Sequence, residues 1–221
     1  MGIISENARK ILSEIPEHIR VVAAAKARTA DEIREVIEAG ITLIGENYVQ
    51  EARAVIPEIG ERAGWHFIGH IQTNKVKYIV PLFDMIETLD SVPLAQTIDK
   101  IAGRHGKIMP VLIEVNCAHE PQKAGVLPED VLSFIRQIHT LEHIRIQGLM
   151  TMGPFLDDPS NLRPYFRATR ELFDEVAKAA VPGVEMKHLS MGMSDSYRIA
   201  IEEGATLVRI GTRIFGPRNY A

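Results

Sequence analysis

Short apolar runs and amphipathic stretches alternate along this chain from one end to the other. Eight runs of four to six residues read as strands: 21–25, 42–45, 65–69, 85–89, 111–116, 145–150, 185–189 and 206–210. Several are rich in Val and Ile, as strands covered on both faces should be. Between them the apolar spacing turns helical, near 30–39, 48–59, 73–79, 92–103, 128–139, 162–180 and 195–203. A further helix over 5–15 precedes the first strand. Gly40, Gly103 and Gly204 fall where helices should stop, and Pro128 where one should open. Eight strands alternating with helices in 221 residues predict an α/β fold, a single (β/α)8 TIM barrel with an extra N-terminal helix. A doubly wound open sheet would show the same alternation with fewer strands, so the count favours the barrel. No linker, repeat or charge run divides the chain, and residues 1–221 read as one domain. The polar, Pro-rich stretch 153–163 reads as a loop on the barrel top.

Composition narrows the function. A net charge of −4 offers no general attraction to nucleic acid. The one cysteine, Cys117, excludes an internal disulfide and suits a reducing compartment. Charges interrupt every apolar run near the N-terminus, which is not the form of a signal peptide. No run of about 18 apolar residues exists to span a bilayer. A soluble, cytoplasmic protein is expected.

In a barrel of this kind, ligands sit at the C-terminal ends of the strands. That rule selects Lys26, Glu46, Asn47, His70, Asp90, Asn116, the stretches 150–152 and 190–194, and Arg209 to Thr212. Lys26 follows an apolar strand and is predicted to project into the barrel mouth, where a neutral amine condenses with an aldehyde. By position alone the better reading is a lysine that merely snorkels from a strand end. The run Leu207-Val-Arg-Ile-Gly-Thr-Arg-Ile-Phe-Gly216 changes that balance. Gly211 and Thr212 open a short helix directly after an apolar strand, and bare N–H groups there suit a phosphate. Ser194 reads either as an ordinary helix N-cap or as a hydroxyl joining that cradle. A phosphate after strands seven and eight is habitual in this fold. Lysine at one strand end and a phosphate cradle at another are the fixtures that pyridoxal 5'-phosphate needs.

Arg209 ends the last strand among apolar neighbours, so it must meet a carboxylate or a ligand. A pyridine nitrogen facing it has to act as an acceptor, because Arg does not release its proton. The ring is then a weaker electron sink. His66 and His70, four apart, fall on one face if the third strand is regular. With Glu46 or Asp90 they admit a metal reading, but hydrogen-bonding histidines without a metal are expected. Met150, Met152, Met191 and Met193 read as gap-fillers, with packing on a flat ring as the sharper alternative.

At these residues the chain resembles the YggS/PROSC family of pyridoxal phosphate homeostasis proteins. The matching segments are Ile44-Gly-Glu-Asn-Tyr-Val-Gln-Glu51, Trp65-His-Phe-Ile-Gly-His-Ile-Gln-Thr-Asn-Lys75, Gly148-Leu-Met-Thr-Met152, Leu189-Ser-Met-Gly-Met-Ser194 and Val208-Arg-Ile-Gly-Thr-Arg-Ile-Phe-Gly216. With Lys26 they cover nearly the whole chain in order. The loop from Asn116 to Gly125 also fits the family spacing through Glu120 and Lys123. Ala25 and Ser196 depart from it, standing where the family often has Ser and Asp. The resemblance implies a barrel like the N-terminal domain of alanine racemase, with the cofactor aldehyde on Lys26. It further implies phosphate contacts from Ser194, Gly211 and Thr212, Arg209 facing the ring nitrogen, and Asn47 near the cofactor.

Three functions compete. The first is a non-catalytic pyridoxal phosphate carrier that supplies apo-enzymes or limits free cofactor. The second is a pyridoxal phosphate-dependent amino-acid racemase, whose relatives take a second base from an appended domain. This sequence ends at Ala221, just past the barrel, so no such domain is expected. The third is an aldolase using Lys26 on a sugar phosphate, which rests on fold analogy alone. The carrier is the reading the residues favour.

Overall fold

The computed structural model describes residues 2–217. Eight parallel strands close into a barrel in sequence order: β1 Arg20–Ala24, β2 Leu43–Glu46, β3 Gly64–Phe67, β4 Met85–Leu89, β5 Met109–Glu114, β6 Ile144–Met150, β7 Val184–Ser190 and β8 Leu207–Ile210. Closure comes from β1 pairing with β8, Val21 opposite Val208 and Ala23 opposite Ile210. The helices outside are α1 Ile3–Glu14, α2 Ala30–Glu38, α3 Val49–Ile59, α4 Val76–Ile79, α5 Val92–Arg104, α6 Val131–Ile138, α7 Arg163–Lys178, α8 Tyr197–Glu202 and α9 Thr212–Phe215. The predicted α/β barrel and its extra N-terminal helix are therefore present.

Strand parity explains how one sequence builds both a plug and a site. Successive residues of a strand face opposite sides, so every second residue enters the barrel. Val22, Leu43, Met85, Leu112, Met150 and Leu207 form an apolar cluster separate from the larger core beneath the helices. Two residues further along the same strands stand Ala24, Gly45, Glu87, Glu114 and Arg209. The lumen is apolar in one layer and polar in the next, towards the C-terminal ends. Outward-facing residues such as Ile44, Ile86, Ile113, Val208 and Ile210 join the helix-covered core.

Several boundaries depart from sequence expectation for local reasons. Gly103 lies inside α5, and the helix ends at His105 before Gly106, whose φ is +60°. Gly40 and Gly204 do follow helices, at φ of +111° and +91°. Pro128 opens a 3-10 turn, Pro128–Asp130, ahead of α6, and the 73–79 helix is split into a 3-10 turn and the short α4. Helix α1 packs against α2 and α9. It is fastened by Asn7 Nδ2 donating to the Ile214 carbonyl at 3.1 Å. No helix among the described residues is long and apolar enough to cross a membrane.

Candidate cofactor site

Five of the six residues singled out in the sequence come together. Asn47, Ser194, Arg209, Gly211 and Thr212 line one cavity of about 270 Å³ at the barrel mouth, with Ala24, Ile68, Met152 and Met193 among its other walls. Each is carried there by a strand end. Gly211 and Thr212 follow β8, Asn47 follows β2, and Ser194 lies in the turn between β7 and α8.

Lys26 is placed differently from the simple expectation of a residue projecting into that mouth. It is half-buried just past β1, and its Nζ donates to Tyr48 Oη at 3.3 Å. The amine lies 4.9 Å from the centre of the Tyr48 ring. The turn that carries it is held on both sides. Ala25 donates its N–H to the Gly45 carbonyl, and Ala27 donates its own to Glu51 Oε2 at 2.6 Å while adopting φ +58°. Lys26 stands two residues beyond Ala24, a wall of the cavity.

Ser194 is not a helix cap. Helix α8 begins at Tyr197, after Ser196. The Ser194 Oγ instead accepts the N–H groups of Gly211 and Arg213 at 3.3 and 3.4 Å. Both amides are spent on that oxygen, which leaves the Ser194 O–H as a donor at the wall of the cavity.

Arg209 meets a carboxylate, as a buried guanidinium should. Its Nη1 donates to Ser190 Oγ at 2.6 Å and lies 3.8 Å from Glu87 Oε2, while Nη2 donates to the Thr151 carbonyl at 2.9 Å. Ser190 in turn donates to Glu87 Oε2 at 2.6 Å, and His66 Nδ1 sits 2.6 Å from Glu87 Oε1. Burial pushes the Glu87 carboxyl upward, but His66, Arg209 and Ser190 outweigh it and hold it below its ordinary range. Two of five guanidinium N–H groups are used by these contacts, so donors remain for a ligand in the cavity that Arg209 lines.

The histidines separate. The third strand ends at Phe67, so the period-two alternation does not reach His70. His66 is buried against Glu87, whereas His70 is exposed at 4.0 Å from Asp90. Among the described residues, no three His, Cys, Asp or Glu side chains gather as metal ligands. The methionines also divide. Met150 and Met191 are buried in the core, while Met152 and Met193 are 42% and 41% exposed and line the cavity.

Sequence reasoning passed over Glu87 and Tyr48, which meet Arg209 and Lys26, and Glu114, which lies outside the cavity lining, whereas Thr151 falls in the stretch 150–152 that the strand-end rule selects. The available signal was parity: Glu87 and Glu114 stand two residues after the plug residues Met85 and Leu112. Gly69 is another such residue. A Cβ there would fall 2.3 Å from the Asn47 carbonyl, so only glycine lets the end of β3 approach Asn47 this closely.

Comparison with known proteins agrees with this geometry. The family described as "Alanine racemase, N-terminal domain" matches residues 2–219. A pyridoxal phosphate homeostasis protein of Aquifex aeolicus is 43% identical over 202 residues, covering 91% of this chain and 88% of its own. One from Vibrio alginolyticus is 35% identical, with both chains wholly covered. PipY of Synechococcus elongatus, solved with PLP bound, superposes with a TM-score of 0.89 at 34% identity, over 96% of this chain and 100% of its own. Alanine racemase of Clostridium difficile shares the fold alone, with a TM-score of 0.79 at 17% identity over 99% of this chain and 57% of its own. This chain is a member of the alanine racemase N-terminal-domain family, among relatives that are pyridoxal phosphate homeostasis proteins.

Proposed function

We propose that this chain, as one barrel domain, binds pyridoxal 5'-phosphate with the aldehyde on Lys26 as a Schiff base and serves intracellular cofactor homeostasis. The observation that carries the reading is the shared cavity of Asn47, Ser194, Arg209, Gly211 and Thr212, next to the Lys26 turn. The PLP-bound PipY relative supports the choice of ligand. The donor set fits a phosphorylated pyridine. The Ser194 hydroxyl with the Gly211 and Thr212 turn beside it suits the phosphate, and the spare N–H groups of Arg209 suit an unprotonated ring nitrogen. Asn47, Met152 and Met193, which line the same cavity, would border the ring. Bound pyridoxal phosphate supplies an electrophilic aldehyde and an electron-withdrawing ring. The protein's own part is to hold, orient and release it.

A non-catalytic role fits best. Arg209, fixed by Glu87 and Ser190, keeps the ring nitrogen from gaining a proton and so limits carbanion chemistry. Delivery to apo-enzymes requiring the cofactor, in the cytoplasm, completes the reading. The lone cysteine in this chain suits such a compartment.

Borohydride reduction of the purified yellow protein, followed by peptide mapping, tests the assignment. The pyridoxyl mass belongs on the peptide containing Lys26, and a label confined to any other lysine overturns it.

A further inference from the structure

Beside the cofactor cavity lies a second and larger chamber of about 420 Å³, which the proposed function does not use. The two share Asn47, Ile68 and Met152 as walls. Glu114, at the end of β5, reaches this chamber and is only 6% exposed. Among the described residues its carboxylate makes no hydrogen bond or salt bridge. A buried carboxylate without a partner is costly, and the usual remedies are a proton or a bound cation.

The other polar walls are committed in a way that leaves acceptors facing the space. Lys123, the lysine among the chamber's walls, is 2.6 Å from Glu120 Oε2 and donates to the Gly153 carbonyl at 3.0 Å. Asn116 spends its amide donors on the carbonyls of Glu120 and Lys123 and accepts the Glu120 N–H. Thr88 gives its hydroxyl proton to the Gly69 carbonyl, and Thr151 gives its own to the Val115 carbonyl. The two hydroxyls keep lone pairs, and Asn47, Gln122 and the exposed His70 add further polar groups to the wall. Among the described charged walls Glu120 is paired with Lys123 and His70 lies by Asp90, so Glu114 is the charge left without an ion-pair partner, which selects a cationic donor.

We propose that this chamber binds a small primary amine, with its ammonium group on Glu114. An ammonium carries three donors and one positive charge, which matches one carboxylate flanked by hydroxyl oxygens. The volume suits a molecule with a short aliphatic or polar tail. The charged groups bearing on Glu114 are Asp90, which follows β4, and Arg209 on β8; from β6 the neighbour in register is Met150. Burial and Asp90 together raise the Glu114 carboxyl to about 7, and Arg209 opposes them. An amine of ordinary basicity stays protonated well above that value, so the carboxyl alone sets the pH response.

Calorimetric titration of the borohydride-reduced protein with 1,5-diaminopentane tests the site, because no aldehyde then remains for the amine to attack. Saturable binding is expected, rising about tenfold per pH unit below about 7 and levelling above it. Glu114→Gln should weaken binding at pH 8 at least tenfold while the visible cofactor band of the unreduced variant persists. Pentanoate should not compete. Equal binding by the variant, a flat response between pH 5.5 and 7, competition by pentanoate, or no saturation below about 10 mM overturns the proposal. If Glu114→Gln does not fold, the pH series on the unaltered protein decides. Because the titration uses protein without free aldehyde, loss of the amine site and failure of the cofactor reading are separate results.

Discussion

The Ser194 hydroxyl collects two main-chain N–H groups instead of capping its own helix, and its own O–H is left to donate at the cavity wall. Charge-assisted hydrogen bonds to phosphate contribute about 1.5–3 kcal/mol each, so Ser194→Ala should weaken cofactor binding roughly ten- to a hundredfold. Absorbance titration with pyridoxal phosphate reads this directly, and an unchanged affinity would remove Ser194 from the site. Glu87 acts at the same scale through its neighbours. Removing its carboxylate strands Arg209 and His66 in the barrel, and Glu87→Ala should cost about 3–5 kcal/mol of stability, as other broken buried pairs do. The sign of its pH dependence follows from a folded pKa held below the ordinary 4.5. Stability from Glu87 is fully present above that value and is lost as pH falls through the lower, folded one. Urea denaturation of the native protein and Glu87→Ala between pH 3 and 7 should converge at the acid end.

Strand ends carry the other informative tensions. Glu46 closes β2 fully buried, and neither of its carboxylate oxygens has a hydrogen-bond partner among the described residues. Burial first, then the charge of Glu51, raises it from 4.5 to about 8. A raised carboxyl means that the folded state binds the proton more tightly, so stability falls as pH climbs from about 4.5 to about 8 and then levels. The gap caps this penalty at roughly 5 kcal/mol, and a neutral Glu46→Gln should recover part of it. Melting curves should show the variant gaining on the native protein as pH rises from 5 to 8, with no gain at pH 4. In β6 the constraint is geometric. Gly148 sits at φ +147° in an irregular stretch of the β6–β7 pairing, and a Cβ there would fall 1.8 Å from the His188 carbonyl. Gly148→Ala must break strand pairing, at a cost of about 3 kcal/mol or more, visible as a fall in the urea midpoint.

At the scale of the molecule, the barrel gathers its polar groups at one rim and leaves that rim partly open. Met152 and Met193 border the cofactor cavity and remain about two-fifths exposed. Arg209 is anchored by Ser190 and the Thr151 carbonyl, and a guanidinium does not give its proton to a pyridine. Efficient amino-acid chemistry needs a strong electron sink and a closed, preorganised site, so turnover should stay well below ordinary enzyme rates of about 1 per second. Racemisation and transamination of a panel of L-amino acids, with Lys26→Ala alongside, measure this. Ordinary rates that vanish in the variant would make the protein a racemase or transaminase instead of a carrier.

The alternation of apolar runs with 3.6-residue patterns was enough to specify eight strands, their order and the barrel, because periodicity is written locally in the chain. Lys26, Asn47, Arg209, Gly211 and Thr212 could be singled out for the related reason that strand ends in a barrel are where ligands bind, and all of these but Lys26 line one cavity. Other features depended on contacts between distant strands. Ser194 accepts main-chain N–H groups instead of capping α8 because β8 brings Gly211 beside it, seventeen residues away in sequence. His66, Glu87, Ser190 and Arg209 come from β3, β4, β7 and β8, and only barrel closure places them within hydrogen-bond reach. Burial of Glu46 and Glu114 likewise depends on what neighbouring elements cover. Local pattern sets which way a side chain faces along its strand, whereas the register and closure of the barrel decide what it meets there.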